Sequence, residues 1–150
     1  MIILGVTAII LSISYVCLIY FITAGWNKTQ IIQASNEDIS DISISVIIAA
    51  RNEESYIRSC VESILNNNFP VSNFEIIVVD DHSADKTREI ISGHFNENVR
   101  VFKLPEDFHG KKAAITFGVS MARFPYILCT DADGVVKNDW LSLHGSKFKQ

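Results

Sequence analysis

Two aspartates one residue apart, Asp131 and Asp133, close the apolar run "YILCT" at residues 126–130. In extended chain, residues two apart project to the same side, about 6–7 Å apart at Cα. From that spacing two carboxylates can approach one divalent cation, with metal–oxygen distances near about 2.1 Å for magnesium. Without a cation, two close acids push one pKa upward. A cation that also touches phosphate oxygens removes the repulsion and offsets charge developing on a leaving phosphate. Asp131-Ala132-Asp133-Gly134 is also good turn chemistry, so the pair takes its meaning from its company.

That company is twofold. In "VVDDHSADKT", Asp80 and Asp81 close a second apolar run. A carboxylate at such a turn can accept hydrogen bonds from an N–H-bearing ligand, such as the base or ribose of a nucleotide. Asp85 reads as the N-cap of the helix that follows, whereas two adjacent acids at 80–81 exceed what one cap needs. In "FHGKKAAI", Gly110 lets the backbone turn, and Lys111 and Lys112 stand near a helix N-terminus, where the macrodipole does not favour cations. Charge so placed calls for an anion. The segment is no P-loop, because it lacks both the earlier glycine and the Ser or Thr after the lysine, and no G-x-G-x-x-G follows the first strand. His82, His94, His109 and His144 show no metal-ligand spacing and read as surface or loop histidines.

The elements that must position these residues alternate. Residues 44–50 are a β-branched, continuous apolar run, as in a strand buried on both faces, 74–81 read as a second buried strand, and 99–104 and 126–130 as a third and a fourth strand. Between them, 52–67, 84–95 and 111–122 carry helical periodicity; Glu53 and Glu54 suit the first turn of one helix, and Ala114, Ile115, Val119 and Ala122 form the apolar face of another. Such alternation predicts an α/β fold, a Rossmann-like, mostly parallel sheet with flanking helices and right-handed crossovers. Ligands of such sheets lie beyond the carboxyl ends of the strands. Three of the four strands end there in Arg51-Asn52, Asp80-Asp81 and Asp131-Ala132-Asp133.

The chain of 150 residues has a net charge of −4, which gives no basic face for nucleic acid. Cys17, Cys60 and Cys129, each in an apolar run, read as buried free thiols. From Met1 to Trp26 there is no charged side chain, and a membrane span needs about 20 mostly apolar residues. Residues 1–26 therefore read as a retained transmembrane anchor, with Tyr20 and Trp26 suited to the interface. A polar linker over 27–42 and the α/β portion over 43–150 follow. Lys28 and Arg51 come after the span, so the expected location is a single-pass membrane protein with its C-terminal portion cytoplasmic.

Together, "SVIIAARNEESYIRSCVESILNNNFP", "FEIIVVDDHSADKT", "GKKAAITFG" and "ILCTDADGVVKNDWL" resemble the N-terminal, nucleotide-binding portion of a family 2 glycosyltransferase, an inverting enzyme of GT-A type. The resemblance covers Ser45 to about Leu141. It implies a nucleotide-sugar donor, usually a UDP-sugar, with magnesium or manganese. It places Asp81 at the base, Ala49, Ala50 and Arg51 beside the base, and Lys111 near the donor. Asp131 and Asp133 become a D-x-D motif, Asp133 ahead of Asp131 as direct metal ligand. Transfer would be a single displacement onto a membrane-associated glycan or lipid acceptor. In the family the acceptor site and the catalytic base come from the following half, so no residue here is assigned as base and the chain is expected to be incomplete at its C-terminus.

Two other readings stay open at this point. One is a membrane-anchored nucleotide-sugar-binding module without transfer activity. The other follows from "TDADGVV", which resembles the aspartate loop of haloacid-dehalogenase-type phosphatases and would make Asp131 a nucleophile and Asp133 an acid/base.

Overall fold

In the computed structural model, residues 2–27, 41–93, 95 and 97–149 are described; most of the expected linker, His94 and the side chain of Trp26 fall outside them. Helix α1 and the α/β portion are two compact units. Helix α1 runs Ile2–Asn27 and is apolar all round. At 1.5 Å per residue it is about 39 Å long, enough to cross a hydrocarbon core of about 30 Å. Its Gly5–Ala24 stretch has a mean hydropathy of 2.2, so this one helix is long and apolar enough to cross a membrane. The hydroxyls of Ser12 and Ser14 donate to the carbonyls of Ala8 and Ile10 at 2.9 and 3.0 Å, which removes their need for water.

In the second unit the elements run β1 (Ile44–Ala50), α2 (Ile57–Leu65), β2 (Phe74–Asp80), α3 (Thr87–Ser92), β3 (Val99–Lys103), α4 (Lys111–Ser120), β4 (Tyr126–Asp131) and α5 (Trp140–Phe148). The strands form one sheet in the order β3-β2-β1-β4. All pairings are parallel, and the carboxyl ends are level: Ala50 lies beside Asp80, Asp80 beside Lys103, and Ala49 beside Asp131. The order reverses at β1, leaving a crevice between β1 and β4, where ligands of doubly wound sheets bind.

Alternate residues of β1 feed two cores. Val46, Ile48 and Ala50 pack with Ile57, Cys60, Val61 and Ile64 of α2, Ile91 of α3 and Leu141 of α5. Ile47 packs with Ile77, Val79, Leu104 and Ala114 of α4 on the other face. Helix α4 meets the sheet through Ala114 and Gly118, while Val119, expected to face the core, is 41% exposed. The cause is closeness: a Cβ at Gly118 would stand 2.5 Å from Ile47 Cγ2 and 3.2 Å from Val79 Cγ2. Gly118→Ala is therefore expected to destabilise the unit by about 1–3 kcal/mol through overpacking, less up to about 1 kcal/mol regained in helix propensity. A lower urea midpoint at constant slope would register this; an unchanged or higher midpoint would mean α4 rides farther from the sheet.

Several boundaries differ from expectation. Helix α2 begins at Ile57, because Glu53 and Glu54 turn their backbone toward the β2–α3 loop; neither lies in its first turn. Of the cysteines only Cys60 is buried: Cys17 lies on α1 and Cys129 on β4, which has a strand on one side only. Burial, with the nearby Asp133 and Asp131 charges adding to it, pushes the Cys60 thiol up to about 11, so it stays protonated and inert.

Candidate functional site

The loops after β1 and β2 are latched to each other at the carboxyl edge. Asn52, in the left-handed region at φ 56°, receives the Ala84 N–H on its Oδ1 at 2.8 Å. Its own N–H donates to Ser83 Oγ at 3.0 Å. Glu53 N–H donates to Thr87 Oγ1 at 2.7 Å, and Glu54 N–H to Asp85 Oδ2 at 3.1 Å. Asp85 Oδ1 accepts the Thr87 N–H at 3.0 Å, so Asp85 serves the start of α3 as expected, though the N-cap position itself belongs to Lys86. Two hydrogen-bonded turns thus hold Arg51 and Asp81 side by side.

Asp81 is buried and committed on both oxygens. Its N–H donates to the Ala50 carbonyl at 2.8 Å, continuing the sheet. Oδ2 accepts the Gly110 N–H at 2.9 Å and lies 3.7 Å from Arg51 Nη1; Oδ1 lies 3.1 Å from His82 Nδ1. Gly110 sits at φ 88°, a conformation that L side chains rarely adopt, and it turns the chain directly into α4. The bond from Gly110 to Asp81 therefore sets where α4 starts, and with it the position of Lys111.

Lys111 extends across the crevice and pairs with Asp131, whose hydrogen bond and charge hold the ammonium pKa above its ordinary value. Lys112 does not join it; it lines a separate cavity with Phe108 and Thr116 on the outer side of α4. Past β4 the chain turns, with Gly134 N–H reaching the Asp131 carbonyl at 3.3 Å. Ala132 is buried and Asp131 and Asp133 are exposed on either side of it. The segment is thus both a turn and an acid pair presented to one crevice.

These residues meet in a cavity of about 340 Å³ lined by Ala49, Arg51, Glu53, Asp81, Lys111, Asp131 and Asp133, among others. All seven residues singled out in the sequence as donor or metal contacts, Ala50 included, line it. Four carboxylates (Glu53, Asp81, Asp131, Asp133) face two cations (Arg51, Lys111), leaving two negative charges uncompensated. An anionic ligand would enter such a cavity only with a cation, and the exposed carboxylate oxygens are the donors that magnesium or manganese prefers.

Sequence reasoning missed one lining residue, Glu53, and the contact between His82 and His109 beside the cavity. Glu53 was assigned to a helix and instead lines the cavity. His82 and His109 were read as unrelated loop residues, yet their rings lie 4.7 Å apart, centroid to centroid, because the Gly110–Asp81 bond folds one loop over the other. The adjacency of His82 to Asp81 was the one available signal.

Comparison with known proteins identifies the family. Residues 45–150 match the family model described as Glycosyl transferase family 2. The poly-beta-1,6-N-acetyl-D-glucosamine synthase of Staphylococcus epidermidis is 29% identical over 114 residues, 76% of this chain and 27% of that protein. The glycosyltransferase GlyG of Streptococcus pneumoniae is 36% identical over 99 residues, 65% of this chain and 32% of that protein. The crystal structure of S. aureus TarS 1–349 in complex with UDP-GlcNAc superposes with a TM-score of 0.66 at 28% identity, covering 72% of this chain and 31% of the other. The chain thus spans about a third or less of the length of these relatives. They are glycosyltransferases, and none of them supports the phosphatase reading of the aspartate loop.

Proposed function

Because this chain belongs to glycosyl transferase family 2, we propose that its α/β unit is the donor-binding portion of a glycosyltransferase that uses a nucleotide-diphosphate sugar, a UDP-sugar by the precedent of the TarS complex with UDP-GlcNAc. The observation that carries this is the convergence of Arg51, Asp81, Lys111, Asp131 and Asp133, from separate segments, on one cavity at the switch point of the sheet.

Asp81 accepts an N–H of the base, with Ala49 and Arg51 beside it. Lys111 exchanges Asp131 for the diphosphate; both partners are exposed, so the exchange is cheap. Asp133 and Asp131 hold magnesium or manganese, which supplies Lewis-acid stabilisation of the diphosphate when bound. In the transfer an acceptor hydroxyl attacks the anomeric carbon from the face opposite the diphosphate. The new carbon–oxygen bond forms as the bond to the diphosphate breaks, and Lys111 stabilises the departing charge. The acceptor's proton passes to a carboxylate base, a role to which no residue of this chain is assigned. Helix α1 anchors the unit to the membrane through the 27–42 linker. The unit lies on the cytoplasmic side, with the acceptor a membrane-associated glycan or lipid.

Calorimetry of the full chain in detergent micelles with UDP and manganese tests this. Asp133→Ala is expected to weaken manganese-dependent UDP binding at least about 100-fold, beyond the 10–100-fold typical of outer-sphere changes. Equal UDP affinity with and without manganese, in wild type and variant alike, would remove Asp133 from the site.

A further inference from the structure

We propose that Asp81, His82 and His109 form a second cation site, for a divalent ion of the imidazole-preferring, zinc-like class, which clips the end of β2 to the loop before α4. One ligand atom from each residue lies within 4.8 Å of the other two. Their separation in sequence hides the cluster; the Gly110 N–H on Asp81 Oδ2 creates it by holding the two loops together. The site shares Asp81 with the cavity described above, but neither histidine lines that cavity.

Of the two His82 nitrogens, Nδ1 faces the cluster, 3.1 Å from Asp81 Oδ1, and is the atom the ring offers an ion. Nε2 is shielded from solvent and lies 3.2 Å from Glu106 Oε2 without an aligned hydrogen bond, so it is placed to carry the ring proton toward that carboxylate while Nδ1 serves as the ligand. The His109 ring stacks on His82 at a tilt of 44°. Tetrahedral zinc with metal–nitrogen distances of about 2.0–2.1 Å needs its donors about 3.4 Å apart. His109 is exposed, so closing from the present spacing to that distance moves a solvent-facing ring.

Charge selects the kind of ion. Asp81 and Glu106 contribute two negative charges, while Arg51 lies 3.7 Å from Asp81 and Lys103 pairs with Glu106. The balance leaves little field for a hard cation held by charge, whereas imidazole donors suit zinc. Gly110, donating to Asp81, supplies the outer-sphere support that such sites use to orient a carboxylate.

The test is zinc titration of the full chain in detergent micelles against a chromophoric chelator, with thermal unfolding in parallel. Wild type is expected to bind zinc and to unfold at a higher temperature when zinc is present. His109→Ala, a change at an exposed residue, is expected to weaken zinc binding at least about tenfold and to abolish the thermal shift, while Asp133→Ala retains both. Equal zinc affinity in wild type and His109→Ala overturns the proposal, as does loss in Asp133→Ala alone. Zinc binding by a chain that fails to bind UDP would sustain this site and sink the nucleotide-sugar reading, so the two are judged separately.

Discussion

Glu75→Ala is expected to cost about 3–5 kcal/mol, the range for removing one partner of a buried ion pair, and to leave much of the α/β unit unfolded at 37 °C. Glu75 is 3% exposed, at the end of the sheet opposite the cavity. Its Oε1 accepts the Ser45 hydroxyl of β1 at 2.8 Å and the Arg123 N–H ahead of β4 at 2.6 Å. Its Oε2 accepts from Arg100 Nη1 of β3 at 2.9 Å, so one carboxylate ties the other three strands to β2. Alanine would strand the Arg100 guanidinium, leaving it the Met121 carbonyl at 2.8 Å as acceptor. Burial pushes the Glu75 carboxyl upward, but the hydrogen bonds from Arg100, Arg123 and Ser45 and the Arg100 charge outweigh it, holding the pKa below its ordinary 4.5. A depressed acid stabilises the fold above its unfolded pKa and loses that contribution as pH falls through the folded value. Wild type should therefore lose stability progressively below about pH 4.5, and Glu75→Gln should lack that part of the acid transition. Urea midpoints across pH 3–7 would show both; a Glu75→Ala midpoint within error of wild type would break the argument.

The second large effect is expected at Asp81. Asp81→Ala should abolish UDP binding, a loss of at least about 100-fold or about 2.7 kcal/mol, together with about 1–3 kcal/mol of stability as the Gly110 N–H loses its acceptor. Asp81→Asn separates the two roles. The asparagine oxygen can still accept from Gly110, so the fold should survive with a small loss. With its oxygen on Gly110, its NH2 stands where a carboxylate oxygen stood and meets the base N–H donor to donor, so UDP binding should still fall at least about tenfold. Wild-type UDP affinity in Asp81→Asn would show that Asp81 supports the loop and does not read the base.

Much of this architecture could be read in advance because the two central strands, β1 and β2, are buried apolar runs and the outer two keep the same β-branched texture. The runs at 44–50, 74–81, 99–104 and 126–130 match the observed strands to within a residue. Helix starts were harder, since they depend on partners from other loops: Glu53 is drawn out of α2 by Thr87, a contact across the fold. The face of α4 was misjudged for a related reason. Periodicity favours large apolar residues such as Val119, whereas close approach to Ile47 demands the small surface of Ala114 and Gly118. Cys129, expected to be buried, is exposed, because composition does not separate an edge strand from a central one.

Local residue order by itself determined the alternation of strand and helix, the placing of Arg51, Asp81 and Asp131 at strand ends, and the apolar N-terminal helix. Each follows from propensities and periods confined to a few neighbours. Only the tertiary structure decided that Lys111 and not Lys112 faces the crevice, that one backbone N–H at Gly110 captures Asp81, that two distant histidines stack, and that Glu75 secures the far end of the sheet. Those outcomes depend on through-space distances of about 3 Å between segments tens of residues apart, on which local sequence exerts no force.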